Sequence, residues 1–323
     1  MDIKTTLRKF PGLKILVIGD IMLDHYILGD ATRISPEAPV PVVSVASDRY
    51  VPGGAANVAN NLAGLGIQPT ILGSYGDDQE YARLRDLLES RQIELSPYGK
   101  KADISTILKT RVVVQRQQLC RIDREGKPVD YELNHDSSEF ADLVLSADAI
   151  LLSDYAKGVI NDGLLGRIRA LLIKHENPPL LVIDPKPKRH LDLQGMGLMT
   201  PNRSEALQMA GFDNSPDADF DDEAVCDAIF KKYGPNKLVI TLGAGGMLLC
   251  EAGKILGRMT TEAREVFDVS GAGDTVVAVL TAALAAGENL QNAAAFANKA
   301  AGIVVGHLGT VPITKAELLE ADS

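Results

Sequence analysis

One short segment, residues 268–275 (Asp-Val-Ser-Gly-Ala-Gly-Asp-Thr), has the residue types and spacing best suited to chemistry. Gly271 and Gly273 precede an alanine-rich apolar run at residues 276–286, which predicts a helix. Small residues at a helix start leave backbone N–H groups free, and these groups favour a bound anion. Asp274 would repel a phosphate in that turn unless it takes a proton beside one, which indicates phosphoryl transfer. An acidic residue near a helix start is equally common without any ligand, so both interpretations stay open.

Alternating strands and helices would position this segment. Aliphatic runs indicate buried strands at residues 14–18, 70–72, 149–153, 180–183 and 238–241, and helical patterns lie at residues 55–65, 80–90, 163–175 and 223–233. This alternation predicts an α/β protein with a mainly parallel sheet covered by helices on both faces. The chain shows neither an internal repeat nor a low-complexity linker, so we expect one domain over residues 1–323.

Two β-type segments break the alternation and predict a separate small sheet. Residues 40–45 and 106–122 are rich in β-branched side chains without an intervening helix, which indicates antiparallel strands outside the main sheet. Arg111, Arg116 and Arg121 are interleaved with aliphatic residues in the second segment. They could protect an edge strand by their charge, or they could form the basic inner face of a lid over an acidic substrate.

Three further motifs could contact a ligand. Residues 53–57, Gly-Gly-Ala-Ala-Asn, begin a helix where the backbone could approach a ligand hydroxyl closely. Residues 241–246 follow a strand and could enclose a nucleotide, although they match neither a Walker-type nor a dinucleotide-binding sequence. Asn202 and Glu205 follow another strand-like run, where they could organise Mg²⁺ through waters or cap a helix.

Composition excludes several classes of protein. A net charge of −10 disfavours a broad surface for nucleic acid or an anionic membrane, but it allows a small basic pocket. No apolar run reaches membrane-spanning length, and residues 1–10 lack the apolar core of a signal peptide. The three cysteines and five histidines show no ligand spacing, so we expect reduced, mostly buried thiols, no zinc site and a cytoplasmic location.

Taken in order, these motifs resemble the ribokinase (PfkB-type) carbohydrate kinase family over essentially the whole chain. The matching pieces are residues 19–24, Gly53-Gly54 with Asn57, Asn202 with Glu205, residues 241–246 and residues 271–274. The resemblance implies a ribokinase-like three-layer sandwich with a mostly parallel central sheet and a small β lid, drawn from about residues 30–50 and 104–123. It also implies a homodimer formed through the lids, and apolar lid residues would favour such a partner: Val42, Val43, Val112 and Val114.

The resemblance also implies a role for each matching position. Asp274 would be the base, and Gly271, Ala272 and Gly273 would offer backbone N–H groups to the transferring phosphoryl group. The implied sugar-binding residues are Asp20, Asp24, Gly53, Gly54 and Asn57. The implied ATP-binding residues are Asn202, Arg203, Ser204, Glu205, Thr241, Gly243, Gly246 and Asn298, with Mg²⁺ held through Glu205 and waters. A monovalent cation, K⁺, is implied near Asp268 and residues 305–310.

Three narrower segments, residues 34–42, 153–158 and 296–310, resemble the branch of this family that phosphorylates D-glycero-β-D-manno-heptose 7-phosphate. Enzymes of that branch phosphorylate the anomeric O1 of this sugar to give the 1,7-bisphosphate, which is used in the synthesis of ADP-heptose and the lipopolysaccharide core. A second phosphate on the substrate needs basic partners. The candidates are Arg33, Arg111, Lys157 and Lys186, and each could instead be a solvated surface charge.

Alternatives of a different class also stay open. Another kinase of this fold, for ribose, fructose or a nucleoside, would leave Arg111 and Lys157 without a distal phosphate. A non-catalytic sugar-phosphate binder would need no base such as Asp274. A dehydrogenase is disfavoured because the chain lacks a dinucleotide-binding sequence. Heptose kinases are fused to an adenylyltransferase in many bacteria. This sequence shows no second nucleotide motif, so we expect the stand-alone kinase form without adenylyltransferase activity.

Overall fold

Two β-sheets of different character organise the chain in a computed structural model, which describes residues 3–115, 117–261, 269–307 and 309–321. The strands in these ranges are β1 (Ile15–Gly19), β2 (Ile21–Ile34), β3 (Pro41–Gly54), β4 (Thr70–Leu72), β5 (Glu94–Leu95), β6 (Ile107–Val114), β7 (Gln117–Arg124), β8 (Ala149–Ser153), β9 (Leu180–Asp184), β10 (Leu198–Met199), β11 (Lys237–Thr241), β12 (Met247–Glu251) and β13 (Lys254–Met259). The helices are α1 (Ile3–Arg8), α2 (Ala55–Gly64), α3 (Gln79–Glu89), α4 (Ser138–Leu145), α5 (Asp162–Leu172), α6 (Arg203–Ala210), α7 (Asp222–Tyr233), α8 (Ala272–Ala285), α9 (Leu290–Val304) and α10 (Lys315–Glu320).

The larger sheet confirms the predicted parallel core. Over the described ranges its strand order is β13-β12-β11-β10-β9-β8-β1-β4-β5. Pairing is parallel from β5 across to β11, and at the other edge of the described sheet the pairs β11–β12 and β12–β13 are antiparallel. Every residue of β1 and β8 is buried, because helices cover both faces of a parallel sheet.

Alternating side chains of the same strand pack into two separate hydrophobic cores. Ile15 and Val17 of β1 belong to the core that α2, α8 and α9 cover, whereas Leu16 and Ile18 belong to the core on the side of α4, α5, α6 and α7. This division follows from the two-residue period of a strand, which sends successive side chains to opposite faces. The aliphatic run at the start of the sequence therefore joins two helical layers to one sheet.

The smaller sheet is the lid, but it is larger than predicted and differs in one pairing. Its strand order is β3-β2-β6-β7. Pairs β2–β3 and β6–β7 are antiparallel as expected, whereas β2 and β6 run parallel. A parallel pair needs a long connection, and here the chain from β3 through β5 supplies it. The lid also begins at Ile21, so Asp24 lies on a lid strand.

Two observations bear on the compositional expectations. Cys226 and Cys250 are buried and Cys120 is exposed, and none of the three forms a disulfide. Within the described ranges, no helix combines the length and the apolar character that crossing a membrane requires. Two of the three thiols are therefore buried, as the sequence led us to expect.

Candidate active site

The first turn of α8 faces a cavity at the carboxyl ends of the parallel strands. Residues that follow or end four of these strands line it together with Gly271, Gly273 and Asp274: Asp154, Asp184, Thr200 and Thr241. Gly271 precedes α8 with φ +83°, a left-handed conformation that glycine adopts at little cost. The fold therefore brings the helix start to the sheet edge where parallel sheets bind ligands.

The Asp274 carboxylate is held by two hydrogen bonds at the bottom of this cavity. Asn57 Nδ2 donates to its Oδ2 over 2.7 Å, and the Tyr155 hydroxyl donates to its Oδ1 over 2.7 Å. Burial raises the pKa of Asp274 to about 6, the two hydrogen bonds oppose that rise, and the nearby charge of Asp24 adds to it. A carboxylate with a pKa near 6 is ionised at neutral pH and can accept a proton, so it suits a general base.

A buried polar network joins α2 to α8 and thereby fixes Asn57 beside Asp274. Asn61 Nδ2 donates to the backbone carbonyl of Asn57 over 2.9 Å. The Thr275 hydroxyl donates to Asn61 Oδ1 over 2.9 Å, and the backbone N–H of Ile313 donates to the same oxygen over 3.1 Å. These bonds use both polar atoms of the Asn61 side chain and hold the Asn57 backbone, which gives the amide next to the base a defined position, although Asn57 Oδ1 itself has no hydrogen-bond partner among the described residues.

A second cavity opens from Asp274 toward the lid. Its lining includes most of the residues predicted to bind the sugar: Asp24, Gly53, Gly54, Asn57, Arg111, Lys157 and Lys186. Side chains from β6, β7 and the loop after β9 complete its basic character: Lys109, Arg121 and Lys188. Six basic side chains therefore face two carboxylates, Asp24 and Asp274, in a protein of net charge −10. This cavity suits an anionic ligand.

Two glycines on the lid strand β3 let the backbone pass close to Asp24. A Cβ at Gly53 would lie 2.7 Å from Asp24 Oδ2, and one at Gly54 would lie 2.4 Å from the backbone oxygen of Asp20. Asp24 itself accepts from Arg111 Nη1 over 2.5 Å. Burial nevertheless raises the pKa of Asp24, while Arg111 lowers it. The predicted glycine pair therefore creates the room in which a charged pair faces the cavity.

A third, more apolar cavity of about 370 Å³ lies on the other side of the α8 helix start. Its lining comes from the loop after β11 and from α8 and α9: Thr241, Gly243, Ala244, Gly246, Met247, Val276, Asn298, Ala301 and Val305. At Gly246, φ is +80° and a Cβ would lie 1.9 Å from the backbone oxygen of Met259, so only glycine fits there. An apolar slot next to backbone N–H groups suits a planar base with a phosphate chain.

Comparison with known proteins decides the family. Residues 13–316 match the sequence model of the pfkB family of carbohydrate kinases. This chain belongs to that family. The kinase therefore transfers a phosphoryl group to a sugar hydroxyl, as the paired cavities and Asp274 indicate.

Curated relatives of the kinase are longer than the chain itself. The bifunctional protein HldE of Azorhizobium caulinodans is 42% identical over 315 residues, which cover 95% of this chain and 64% of that protein. The bifunctional protein HldE of Nitrosococcus oceani is 40% identical over 319 residues, covering 98% and 65%. The chain spans just under two thirds of the length of these relatives.

Solved structures confirm the ribokinase-like fold of the kinase. The ribokinase of Arabidopsis thaliana, solved with ribose and ATP, has a TM-score of 0.74 at 18% identity and covers 96% of this chain and 98% of its own. Phosphofructokinase-2 of Escherichia coli has a TM-score of 0.76 at 18% identity, covering 96% and 97%. At this identity the likeness concerns the fold alone.

Several predicted site residues of the kinase lie away from the cavities or behind them. Asp20 is fully buried, and its carboxylate accepts backbone N–H groups of the loop after β8, so it supports that loop from behind. Arg33 is exposed toward the end of the lid strand β2. Arg203 reaches the Ala218 carbonyl, and Ser204 is exposed on α6. Asp268 lies outside the described residues.

Asn202 and Glu205 form the helix cap that the sequence left open as one alternative. Asn202 Oδ1 accepts from the Glu205 N–H over 3.0 Å, and Glu205 Oε2 accepts from the Asn202 N–H over 2.9 Å, which makes a capping box on α6. The other Glu205 oxygen accepts from Lys186 Nζ over 2.7 Å. Both residues still line the cavity of Asp274, so capping and ligand binding share the same side chains.

Asp184, which sequence reasoning missed, changes the electrostatics of this cavity. Its pKa lies well above the ordinary value because it is buried and faces the charges of Glu205 and Asp274. Within the described residues no group of three metal-ligating side chains assembles. Two carboxylates without a full cage nevertheless fit Mg²⁺, which typically binds one or two carboxylates, waters and substrate phosphates. Asp184 ends β9, so its place at the carboxyl end of a buried strand was the available signal.

Proposed function

We propose that this kinase transfers the γ-phosphoryl group of ATP to the anomeric O1 of D-glycero-β-D-manno-heptose 7-phosphate. The product would be the 1,7-bisphosphate, an intermediate toward ADP-heptose and the lipopolysaccharide core. The observation that carries the proposal is the basic lining of the lid-side cavity in an acidic protein. The relatives named HldE support a heptose as the acceptor.

Two lysines of the lid-side cavity are held in place before any ligand binds. Lys109 Nζ lies 3.1 Å from Asp123 and 3.5 Å from Glu125, and Lys157 Nζ lies 2.6 Å from the same Glu125. These contacts lower the pKa values of both carboxylates, although partial burial opposes this shift. Ordered cations need less reorganisation to receive a dianion, which favours a phosphate there. An unphosphorylated sugar would make no use of this arrangement.

The two ends of the cavity orient such a substrate. Its distal phosphate would meet the basic cluster, and its anomeric carbon would then lie toward Asp274. Asn57 and Asp24 offer polar groups for the ring hydroxyls between these ends, and Gly53 and Gly54 leave space for the sugar. Recognition at both ends would position O1 against the base, and such positioning supplies much of the rate enhancement in phosphoryl transfer.

The chain's own residues then carry out the transfer. Asp274 takes the proton of the anomeric hydroxyl while the sugar O1 forms a bond to the γ-phosphorus and the bond between that phosphorus and ADP breaks. Backbone N–H groups of Gly271, Ala272 and Gly273 stabilise the charge on the transferring group. Mg²⁺, which Asp184 and Glu205 would hold through waters, neutralises phosphate charge when it is bound. The apolar slot beside Asn298 takes the adenine.

Association through the lid is part of the same proposal. Apolar side chains project from its strands and its loop, with exposed fractions of 63% for Ile34, 60% for Val45 and 58% for Ile122. Exposed apolar side chains on a sheet favour a partner, and a second copy of the chain would cover them with the same strands. We propose a homodimer on this ground.

A substrate panel tests the acceptor. The protein is incubated with MgATP and, separately, heptose 7-phosphate, the unphosphorylated heptose, ribose, fructose and fructose 6-phosphate, while ADP release is followed. We expect turnover with heptose 7-phosphate, and ³¹P NMR should show a new anomeric phosphate. Asp274→Asn should reduce the rate by about 10²–10⁴, the usual contribution of a positioned base. Turnover with ribose or fructose and none with heptose 7-phosphate would contradict the proposed acceptor.

A further inference from the structure

The loop after β8 is held from behind by one buried carboxylate. Asp20 accepts the backbone N–H groups of Tyr155 over 2.8 Å, of Lys157 over 3.0 Å and of Val159 over 3.1 Å. Ala156, between the first two, has φ +59°, a conformation that non-glycine residues adopt only where their surroundings impose it. The chain thus maintains a strained loop with three hydrogen bonds to a single side chain.

This loop carries Tyr155 to the junction of the two cavities that meet at Asp274. Tyr155 lines both the cavity at the strand ends and the lid-side cavity. Its hydroxyl donates to Asp274 Oδ1 over 2.7 Å, while Asn57 occupies Oδ2. Two donors from separate elements therefore fix both oxygens of one carboxylate, and each oxygen keeps a lone pair for another hydrogen atom.

We infer that Tyr155 is a positioning residue for the phosphoryl transfer, whose hydroxyl keeps the Asp274 carboxylate oriented toward the acceptor hydroxyl. This inference rests on the proposed function, in which Asp274 is the base. The carboxylate would otherwise rotate about its two side-chain bonds, and a short misplacement of a reacting group is costly. Asp20 contributes through the backbone of the loop, which gives a role to a buried acid that lines none of the three cavities described above.

The charges around Asp274 determine the direction in which a change at Tyr155 acts. Two acidic groups lie near it, Asp24 on β2 and Asp184 on β9, and burial raises the pKa of both. Asn57 on α2 and Tyr155 are neutral donors to it. The Tyr155 hydroxyl stays protonated because burial and these carboxylates raise its pKa far above the ordinary value. Removing the hydroxyl removes a donor that lowers the pKa of Asp274, so that pKa must rise.

The test compares Tyr155→Phe with Tyr233→Phe, a change at the end of α7 that serves as the matched control. We measure kcat and kcat/KM for heptose 7-phosphate with MgATP between pH 5 and pH 9. In Tyr155→Phe the acidic limb of kcat/KM should move up by about one pH unit, the effect of one hydrogen bond to a charged group. At alkaline pH kcat should stay about tenfold below the wild-type value, because the base is less well oriented.

Other outcomes separate this inference from the proposed function. A tyrosine that only packs would lower the melting temperature of Tyr155→Phe and leave the acidic limb in place, which overturns the inference. Asp20→Asn provides a second variant if Tyr155→Phe folds poorly, and it should shift the limb in the same direction. If Asp274→Asn retains wild-type turnover, the proposed base fails, whereas an inactive Asp274→Asn beside an unaffected Tyr155→Phe refutes only the role of Tyr155.

Discussion

Replacing Gly271 by alanine tests whether the start of α8 controls the geometry of the base. Gly271 has φ +83°, and a Cβ there would lie 3.0 Å from Asn57 Nδ2 and 3.1 Å from Thr310 Cγ2. The same Asn57 nitrogen donates to Asp274. The substitution therefore acts in two ways. It forces a left-handed conformation on a residue with a side chain, and it pushes a few tenths of an ångström against the amide that holds the base.

Gly287, just beyond the other end of α8, separates these two effects. It has φ +86°, and no atom lies within 4 Å of the Cβ position. The left-handed conformation costs a non-glycine residue about 1–2 kcal/mol. Gly271→Ala and Gly287→Ala should therefore both lower the free energy of unfolding by about 1–2 kcal/mol. Only Gly271→Ala moves Asn57, so it alone should reduce kcat, by about tenfold.

Two measurements on the same preparations check this expectation. Urea denaturation gives the free energy of unfolding of each variant, and ADP release with MgATP and heptose 7-phosphate gives kcat. Equal losses of stability with a selective loss of kcat in Gly271→Ala would support the reasoning. If kcat falls equally in both variants, or in neither, contact between position 271 and Asn57 does not control the base, and the geometric reasoning is refuted.

Three further changes give separate results. Asp274→Asn should raise the free energy of unfolding of the ligand-free protein above pH 6 by about 2–3 kcal/mol, as measured by thermal or urea unfolding. Burial raises the pKa of Asp274 from 3.8 to about 6, so the folded state loses stability as this carboxyl ionises. The gain should vanish below pH 3.8, where the carboxyl is protonated in both the folded and the unfolded state. Lys157→Gln should raise KM for heptose 7-phosphate about tenfold or more in steady-state assays, since it removes a charged hydrogen bond to the distal phosphate, and it should leave KM for ATP unchanged. The control Lys231→Gln, which changes an exposed lysine on α7, should change neither KM. Ile122→Asp in the lid should weaken dimers in sedimentation equilibrium, and Ile173→Asp, which changes an 83% exposed side chain after α5, should not.

The parts of the fold that sequence alone predicted are those whose pattern depends on local burial. Strands β1, β8 and β9 are short aliphatic runs between polar ends, and burial on both faces of a sheet accounts for such runs without reference to the rest of the chain. The lid strand β2 escaped this reasoning. This strand depends on pairing with β6, which lies more than eighty residues later in the chain, and such a distant partner leaves no local pattern.

The candidate site divides in a similar way. Asp274 and the glycines around it were predictable because a helix start shapes its own anion site. Tyr155 and Asp184 were not singled out, although both lie at strand ends, because their significance comes from facing Asp274 across the cavity. The family resemblance implied that Asp20 binds the sugar, yet its oxygens accept hydrogen bonds from the backbone of a neighbouring loop. Arg33 shares the charge of the lid cluster but is exposed near the end of its strand.

The charge distribution of the site explains how an acidic protein can bring two phosphorylated molecules together. The strand-end cavity holds Asp184, Glu205 and Asp274, and burial, together with the charges of the other two carboxylates, raises the pKa of Asp184. Phosphates would enter that side readily only with a cation that offsets these carboxylates. The lid-side cavity has an excess of basic side chains and needs no such cation. A metal-bound nucleotide and a metal-free sugar phosphate would therefore each favour one side, and Asp274, which lines both cavities, stands where their reacting groups meet.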